Sequence, residues 1–339
     1  MRPRFLVLLT VLLFGPLAAS GAPAPAAVQP VPEIAFALHH DVSPPLREIP
    51  PPPPSARPDR EVPNKRYDRS IQARPPMEDP LLASSQAFAP GASLTPAPIR
   101  NLAGMSADDN AALLGLRLAP ADPVGDVGPA HYVHAVNLLL SVHNKATGAR
   151  IFGPVPLSTL WSGFAGLCGA DDYGDPIVLY DDAADRWVIS QFTGWYDHQC
   201  IAVSTTGDPT GSYYRYDFLV TSGYMNDYPK LGVWPDGYYM SVNEFDDLGY
   251  FYGVTLVAFE RSRMLTGASA QMVKFHPYPC GFFNPPVPEC PFSLQPAHWE
   301  GGTTPPAGSP DPFLMAWDNE VNGTGANPDG YRLWDFAVN

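Results

Sequence analysis

One plan recurs along the later part of the chain, and it limits what the chain can fold into. "GDPIVLYDDAADRWVISQF" runs Asp-Pro, apolar strand, acidic turn, aromatic strand. "DYPKLGVWPDGYYMSVNEF" repeats that order 53 residues later, counted from Pro176 to Pro229. "SPDPFLMAWDNE" followed by "NPDGYRLWDFAVN" repeats it from Pro312 with a longer turn. The first two hairpins are each followed by a third strand, "CIAVSTT" or "VTLVAFERSRM", and a fourth, "YYRYDF" or "QMVKF". An earlier stretch, "AHYVHAVNLLLSVHNKATGARIFGP", supplies at least three more strands. Four-stranded units at a spacing of roughly 40–50 residues are the pattern of β-propeller blades. The expectation is an all-β domain over residues 99–339, a β-propeller of about four antiparallel blades, ending inside a blade at Asn339.

The local chemistry agrees with this plan. A proline at the first position of a strand costs little, because no ladder donor is lost there. Pro-Asp-Gly reads as the tight turn to the next strand, with Gly237 and Gly330 expected to take positive φ. Trp187, Trp234, Trp317 and Trp334 read as packing between blades. Ahead of the strands, "SADDNAALLGLRL" predicts a short helix capped by Ser106, with Asp108 and Asp109 in its first turn.

The N-terminal third reads differently. Arg2 and Arg4 precede an apolar run from Phe5 to Phe14, and small residues follow from Ala18 to Ala22. That is the layout of a secretory signal peptide over residues 1–22, and the run is too short for a membrane span. Residues 23–98 are rich in Pro and Ala around "REIPPPPPSARPDR". Proline removes backbone donors and fixes φ, so a disordered or polyproline spacer is expected there. With no second long apolar stretch, the expected product is secreted or otherwise extracytoplasmic and does not span a membrane.

Charge narrows the partners. The formal net charge is -14, and residues 101–339 hold ten basic against 26 acidic residues. Such a surface repels nucleic acid and anionic lipid, and it suits cations or simply solubility. The expected partner is an unknown glycan or protein ligand. Four cysteines, Cys168, Cys200, Cys280 and Cys290, follow the signal, and an even count in an exported chain favours disulfides. Three pairings are open. The Pro-rich loop between Cys280 and Cys290 favours local closure, which leaves Cys168 for Cys200.

"GDVGPAHYVHAVN", "GDPIVLYDDAADRWVISQF", "CIAVSTTGDPTGSYYRYDF", "NDYPKLGVWPDGYYMSVNEF", "PPAGSPDPFLMAWDNE" and "DGYRLWDF" together resemble a group of secreted bacterial β-propellers of the sialidase-like, BNR-related class. The resemblance covers about residues 100–339. It implies a propeller fold and no particular reaction, and the Asp-box pattern (Ser-x-Asp-x-Gly-x-x-Trp) is missing. Sialidase chemistry needs an arginine cluster for the substrate carboxylate. The seven later arginines, Arg117, Arg150, Arg186, Arg215, Arg261, Arg263 and Arg332, read mostly as peripheral.

Asp175, Asp227 and Asp311 each sit just ahead of a proline-initiated inner strand, which would bring them to one end of a central channel. Three roles are open to them. They could cap turn backbone, hold calcium through hard oxygen ligands, or act as paired carboxylates in glycoside hydrolysis. No HExxH, GxSxG or CxxC motif occurs, so no catalytic residue is assigned and no cofactor is required beyond the calcium option. The expected function is an exported propeller that binds a ligand. The alternative is a carbohydrate-active hydrolase using channel carboxylates.

Overall fold

The computed structural model describes residues 31–51, 98–170, 173–193, 197–279, 292–301, 305, 311–317 and 330–336. They form an all-β protein of antiparallel sheets. The first sheet holds β3 (Val124–Val127), β4 (His131–Val136), β5 (Leu139–Asn144) and β6 (Arg150–Pro156), in that order. The second holds β7 (Gly174–Asp181), β8 (Arg186–Thr193), β9 (His198–Ser204) and β10 (Tyr213–Leu219). The third holds β11 (Met225–Val233), β12 (Tyr238–Phe245), β13 (Phe251–Phe259) and β14 (Gln271–Pro279). A fourth is described in part, with β15 (Gln295–Pro296), β16 (Asp311–Trp317) and β17 (Gly330–Phe336).

The sheets pack face to face in sequence order. Val133, Ala135, Leu140 and Val142 of the first meet Ile189, Cys200 and Ala202 of the second. Ile177, Val188, Ile201 and Phe218 meet Met240, Val242, Val257 and Phe259 of the third. Tyr239, Val254, Leu256 and Ala258 on the reverse of the third sheet meet Phe313 and Phe336 of the fourth. The first strands of neighbouring sheets, β3, β7 and β11, lie side by side. A sheet covered on both faces has no solvent-facing row, so β12 is buried at all eight positions, its polar Ser241, Asn243 and Glu244 included. Trp187 is fully buried and donates its indole N–H to the Gly207 carbonyl, while Trp234 and Trp334 are half-buried against the third core. The Trp317 side chain lies outside the described residues.

The helix forms over Ala107–Leu114. Ser106 and Asp109 make a reciprocal capping box, and Gly115 ends it at φ 77°. The Gly237 expectation is corrected. Its φ lies outside the left-handed region, and a Cβ there would come within 2.9 Å of the Tyr239 ring. The turn needs room at this position rather than an unusual backbone.

The larger correction concerns the segment before the helix. Residues 31–51, expected to belong to a disordered spacer, are built into the sheets. β1 (Glu33–Phe36) pairs antiparallel with β14, and β2 (His39–Val42) pairs with β10, so each middle sheet gains a fifth, outermost strand. A one-turn helix, Leu46–Glu48, follows, with Leu46 fully buried in the first core. Composition misled because the prolines lie outside both strands, and a sheet edge supplies the partner that the segment lacks alone. Buried cations also wait for it. Arg215, 2% exposed, donates to both oxygens of Asp41 (2.8 and 2.6 Å) and to the carbonyls of Leu160 and Ser162. Lys274 is shared by Glu33 and the Val220 carbonyl. Residues 1–30 and 52–97, with the signal and most of the proline run, lie outside the described residues. No helix among the described residues is long and apolar enough to cross a membrane.

Candidate functional site

The starts of the inner strands are the place to begin, since the expected carboxylates lie there. The residue before each proline has a left-handed backbone: Asp122 at φ 40°, Asp175 at 43° and Tyr228 at 50°. In both middle sheets the ladder bulges at this point, between Gly174 and Ile177 and between Asp227 and Lys230. The structural equivalent of Asp175 is therefore Tyr228, and Asp227 takes the slot of Gly174. Asparagine and aspartate tolerate positive φ; a tyrosine there is strained and must be held.

Side chains hold these bulges across the sheets. The Asn137 amide donates to Asp122 Oδ2 at 2.6 Å, and Asn137 Oδ1 accepts the Asp175 backbone N–H at 3.0 Å. Asp175 Oδ2 in turn accepts the Tyr228 N–H at 3.0 Å. Gly174 is needed for the approach, because a Cβ there would meet Asn137 Oδ1 at 2.7 Å. Of the three roles open to Asp175, the structure has backbone bonding. Asp227 is buried, and the Asp311 side chain lies outside the described residues. Among the described residues no group of three or more His, Cys, Asp or Glu is arranged to hold a metal ion.

A cluster of buried polar side chains lies at the same end of the sheets, in a place the sequence reading passed over. The connections from β10 to β11 and from β12 to β13 both lie at this end. At this end of the second and third sheets buried polar side chains sit beside a small apolar cluster of Phe192, Met225 and Phe245. Gln199 donates to Ser190 and accepts from the Asn226 amide at 3.3 Å. Asn226 pairs in register with Glu244, so both side chains leave the same face of the third sheet. Glu244 is 1% exposed. Its Oε1 accepts the Thr255 hydroxyl at 2.5 Å and lies 3.3 Å from His276 Nδ1. Thr255 Oγ1 is also 2.7 Å from that ring nitrogen.

Two tyrosines lie near Glu244. Tyr224, at the end of the β10–β11 connection, stacks on Tyr252 with ring centroids 4.2 Å apart and planes 19° apart. The Tyr224 phenol is pushed up from its ordinary value. Desolvation contributes most, followed by a hydrogen bond with Tyr252 and the charges of Tyr252, Glu244 and Asp246. At this end of the interface, here called the mouth, the stacked tyrosines and the half-exposed His276 lie near Glu244, Asn226 and Thr255, which are buried. One sequence signal was available. "MSVNEF" places a glutamate at an inward position of a strand that is otherwise apolar on that face, and a carboxylate is rarely buried there without a task.

A second polar set lies at this end between the first and second sheets. His198 Nδ1 is 2.6 Å from Asp217 Oδ1, and its Nε2 is 3.8 Å from Asp197. Burial alone would lower the imidazole, but the Asp217 hydrogen bond and the charges of Asp217 and Asp197 outweigh it and hold it above its ordinary value. Asp217 also pairs in register with Cys200, and Cys200 is disulfide-bonded to Cys168, 32 residues away. Cys280 and Cys290 lie outside the described residues.

At the opposite end a buried carboxylate is fully paired. Asp181 is fully buried and receives two hydrogen bonds from Arg261, at 2.7 and 2.8 Å, and one from Tyr238 at 2.9 Å. Arg261, expected to be peripheral, instead ties the third sheet to the second. Among the described arginines, none joins another in a cluster at the mouth, and Arg215 is occupied by Asp41.

No family model matches the chain, and no curated protein matches it. Among solved structures it is similar to the GH43 endo-arabinanase from Bacillus licheniformis, at 11% identity over 63% of this chain and 93% of that one. The TM-score is 0.21, and a likeness of that size carries no argument.

Proposed function

We propose that the chain is an exported β-propeller that binds glycans at the mouth between its second and third sheets. The sequential four-stranded sheets, packed face to face with their first strands side by side, are the arrangement of consecutive blades. The Cys168–Cys200 disulfide favours an oxidising compartment. The secreted sialidase-like class that the motifs resemble is the frame for both points. The observation that carries the ligand reading is the stacked Tyr224–Tyr252 pair close to the Glu244 carboxylate, with the Asn226 and Gln199 amides on the same side of the sheets. Sugar rings offer apolar faces to aromatic side chains and hydroxyls to fixed polar ones, and a site of this kind combines both. Binding is favoured over hydrolysis because Asp175, one of the three candidate carboxylates, is engaged by the Tyr228 amide.

A glycan array probed with the wild type and with Tyr252→Ala tests this. Binding to a subset of glycans, lost or weakened at least tenfold in the variant, is the expected result. Wild-type binding that ignores the substitution would remove this mouth as the site.

A further inference from the structure

Among the described residues the third sheet ends in an open edge. β1 is its outermost strand, and no described strand flanks it on the far side. Register shows which backbone groups are left over. Ala37 donates its N–H to the Ala270 carbonyl at 3.0 Å, and antiparallel pairs alternate between hydrogen-bonded and not. Ala35–Met272 and Glu33–Lys274 are therefore the hydrogen-bonded pairs. The N–H and C=O groups of Ile34 and Phe36 point away from β14, into the open edge.

The side chains of this strand divide in the same way. Ala35 and Ala37 turn inward onto the core between the second and third sheets. Ile34 and Phe36 stand on the other face, 62% and 59% exposed. Natural sheet edges are blunted by a lysine, a proline or a bulge within the strand. "EIAF" carries none of these, and its register with β14 is unbroken. Its single charge, Glu33, is compensated by Lys274 at 3.1 Å.

We propose that this edge docks a second copy of the chain, with β1 pairing antiparallel to its counterpart about a twofold axis at Ala35. Centred there, Ile34 stands opposite the partner's Phe36, and Phe36 opposite the partner's Ile34. These are the positions whose backbone groups are free, so both pairs become hydrogen-bonded pairs. Residues directly opposite each other share a face, so the exposed Ile34 and Phe36 side chains meet those of the partner on one side. The two Glu33 positions end roughly 14 Å apart along the strands. That is beyond the screening length of about 8 Å at physiological salt. A twofold pairing uses both edges at once and stops at two copies.

β2, the outermost strand of the second sheet, shows why β1 is the edge chosen. Its left-over groups belong to His40 and Val42, by the same alternation from the Ser43 N–H to the Tyr213 carbonyl. The equivalent twofold pairing would centre on Asp41 and set it against the partner's Asp41. Like charges directly opposite are destabilising, whereas at β1 the central residue is an alanine.

β1 is four residues long, so the contact lies at the small end of specific interfaces and its occupancy follows concentration. Sedimentation velocity on the full chain, from micromolar to near-millimolar, is paired with hydrogen exchange over the same range. The weight-average mass is expected to rise towards twice that of the monomer, while exchange at the Ile34 and Phe36 amides slows by about tenfold. Ile34→Pro should abolish the dimer at an unchanged melting temperature, because the N–H it removes points away from β14. Phe36→Lys places a charge on the meeting face and serves as the second variant if the first does not fold. A chain that stays monomeric throughout, or a dimer that ignores the substitutions, overturns the proposal.

Discussion

Asp181 and Glu244 are two buried carboxylates at opposite ends of the same interface between the second and third sheets, and their surroundings could hardly differ more. Asp181 is met by the forked guanidinium of Arg261 and the Tyr238 hydroxyl. Glu244 is met by one hydroxyl and one half-exposed imidazole. A buried charge persists only when something compensates it, so Asp181 is fully compensated by a cation as folded, while Glu244 has a hydroxyl and an imidazole for partners. The comparison teaches where the interface is sealed and where it is left open. The sealed end joins the sheets. The open end faces the connections and the aromatic pair.

The comparison breaks most visibly at Arg261. Arg261→Met strands Asp181 without its cation, and removing one member of a buried pair costs about 3–5 kcal/mol. Urea unfolding should show that loss as a lower midpoint with an unchanged slope. A loss under about 1 kcal/mol would mean that Asp181 is not sealed, and the contrast with Glu244 would vanish.

Next in size is the covalent tie at the open end. Cys168 closes onto Cys200 of β9 and pins the connection that precedes β7. The double substitution Cys168→Ala, Cys200→Ala should cost about 2–4 kcal/mol. If the open end is held by this bond where the sealed end is held by ions, hydrogen exchange should speed up near β9 and leave the Arg261 end protected.

Asp41→Ala comes third. It leaves Arg215 buried with carbonyls as its partners, and a lost hydrogen bond to a charged group is worth about 1.5–3 kcal/mol. The same variant should release β2 from β10, which proteolysis within residues 39–42 would detect.

Much of the architecture was legible in the sequence, for a physical reason. Strand, turn and proline follow from backbone geometry, and backbone geometry is local. The hairpin plan from Gly174 and from Asp227 gave the middle sheets directly. The outer strands β1 and β2 were not legible, because "EIAF" and "HHDV" become strands only when β14 and β10 offer an edge. The register of the inner strands was misjudged by one residue. Counting to the proline aligns Asp175 with Tyr228, yet matching by residue type chose Asp227. The mouth was invisible for a further reason. Asn226, Glu244, Thr255, His276, Tyr224 and Tyr252 come from five segments, and no spacing rule links them before the sheet is folded.

Glu244→Gln is expected to change stability little, within about 1 kcal/mol, because the amide keeps an acceptor for Thr255. Set beside Arg261→Met, this is the sharpest form of the contrast: two buried carboxylates, one in an ion pair worth several kcal/mol to the fold and one whose charge the fold needs little. A denaturation midpoint that falls as far as that of Arg261→Met would make Glu244 a structural residue.

The smallest effect concerns His198, the imidazole at the open end between the first and second sheets. Its proton is held above the ordinary value of 6.5 by Asp217 and Asp197, against the pull of burial. A histidine whose folded value is raised contributes stability that is fully present below the unfolded value and is lost as pH rises through the folded one. His39 of β2 pairs in register with Asp217, and a Cβ on Gly166 would lie 2.9 Å from Asp217 Oδ2 and 3.0 Å from His39 Nε2, so His39 and the two aspartates are the titratable groups facing this ring. Melting curves of the wild type and His198→Gln, taken in steps from acid to mildly alkaline pH, should differ most on the acid side, and the gap should close above neutrality. The difference curve cancels groups common to both proteins, including His134, whose imidazole is lowered by burial and by His143. A gap that widened with rising pH would mean that the Asp217 contact favours the neutral ring, and the open end would then hold no proton of its own.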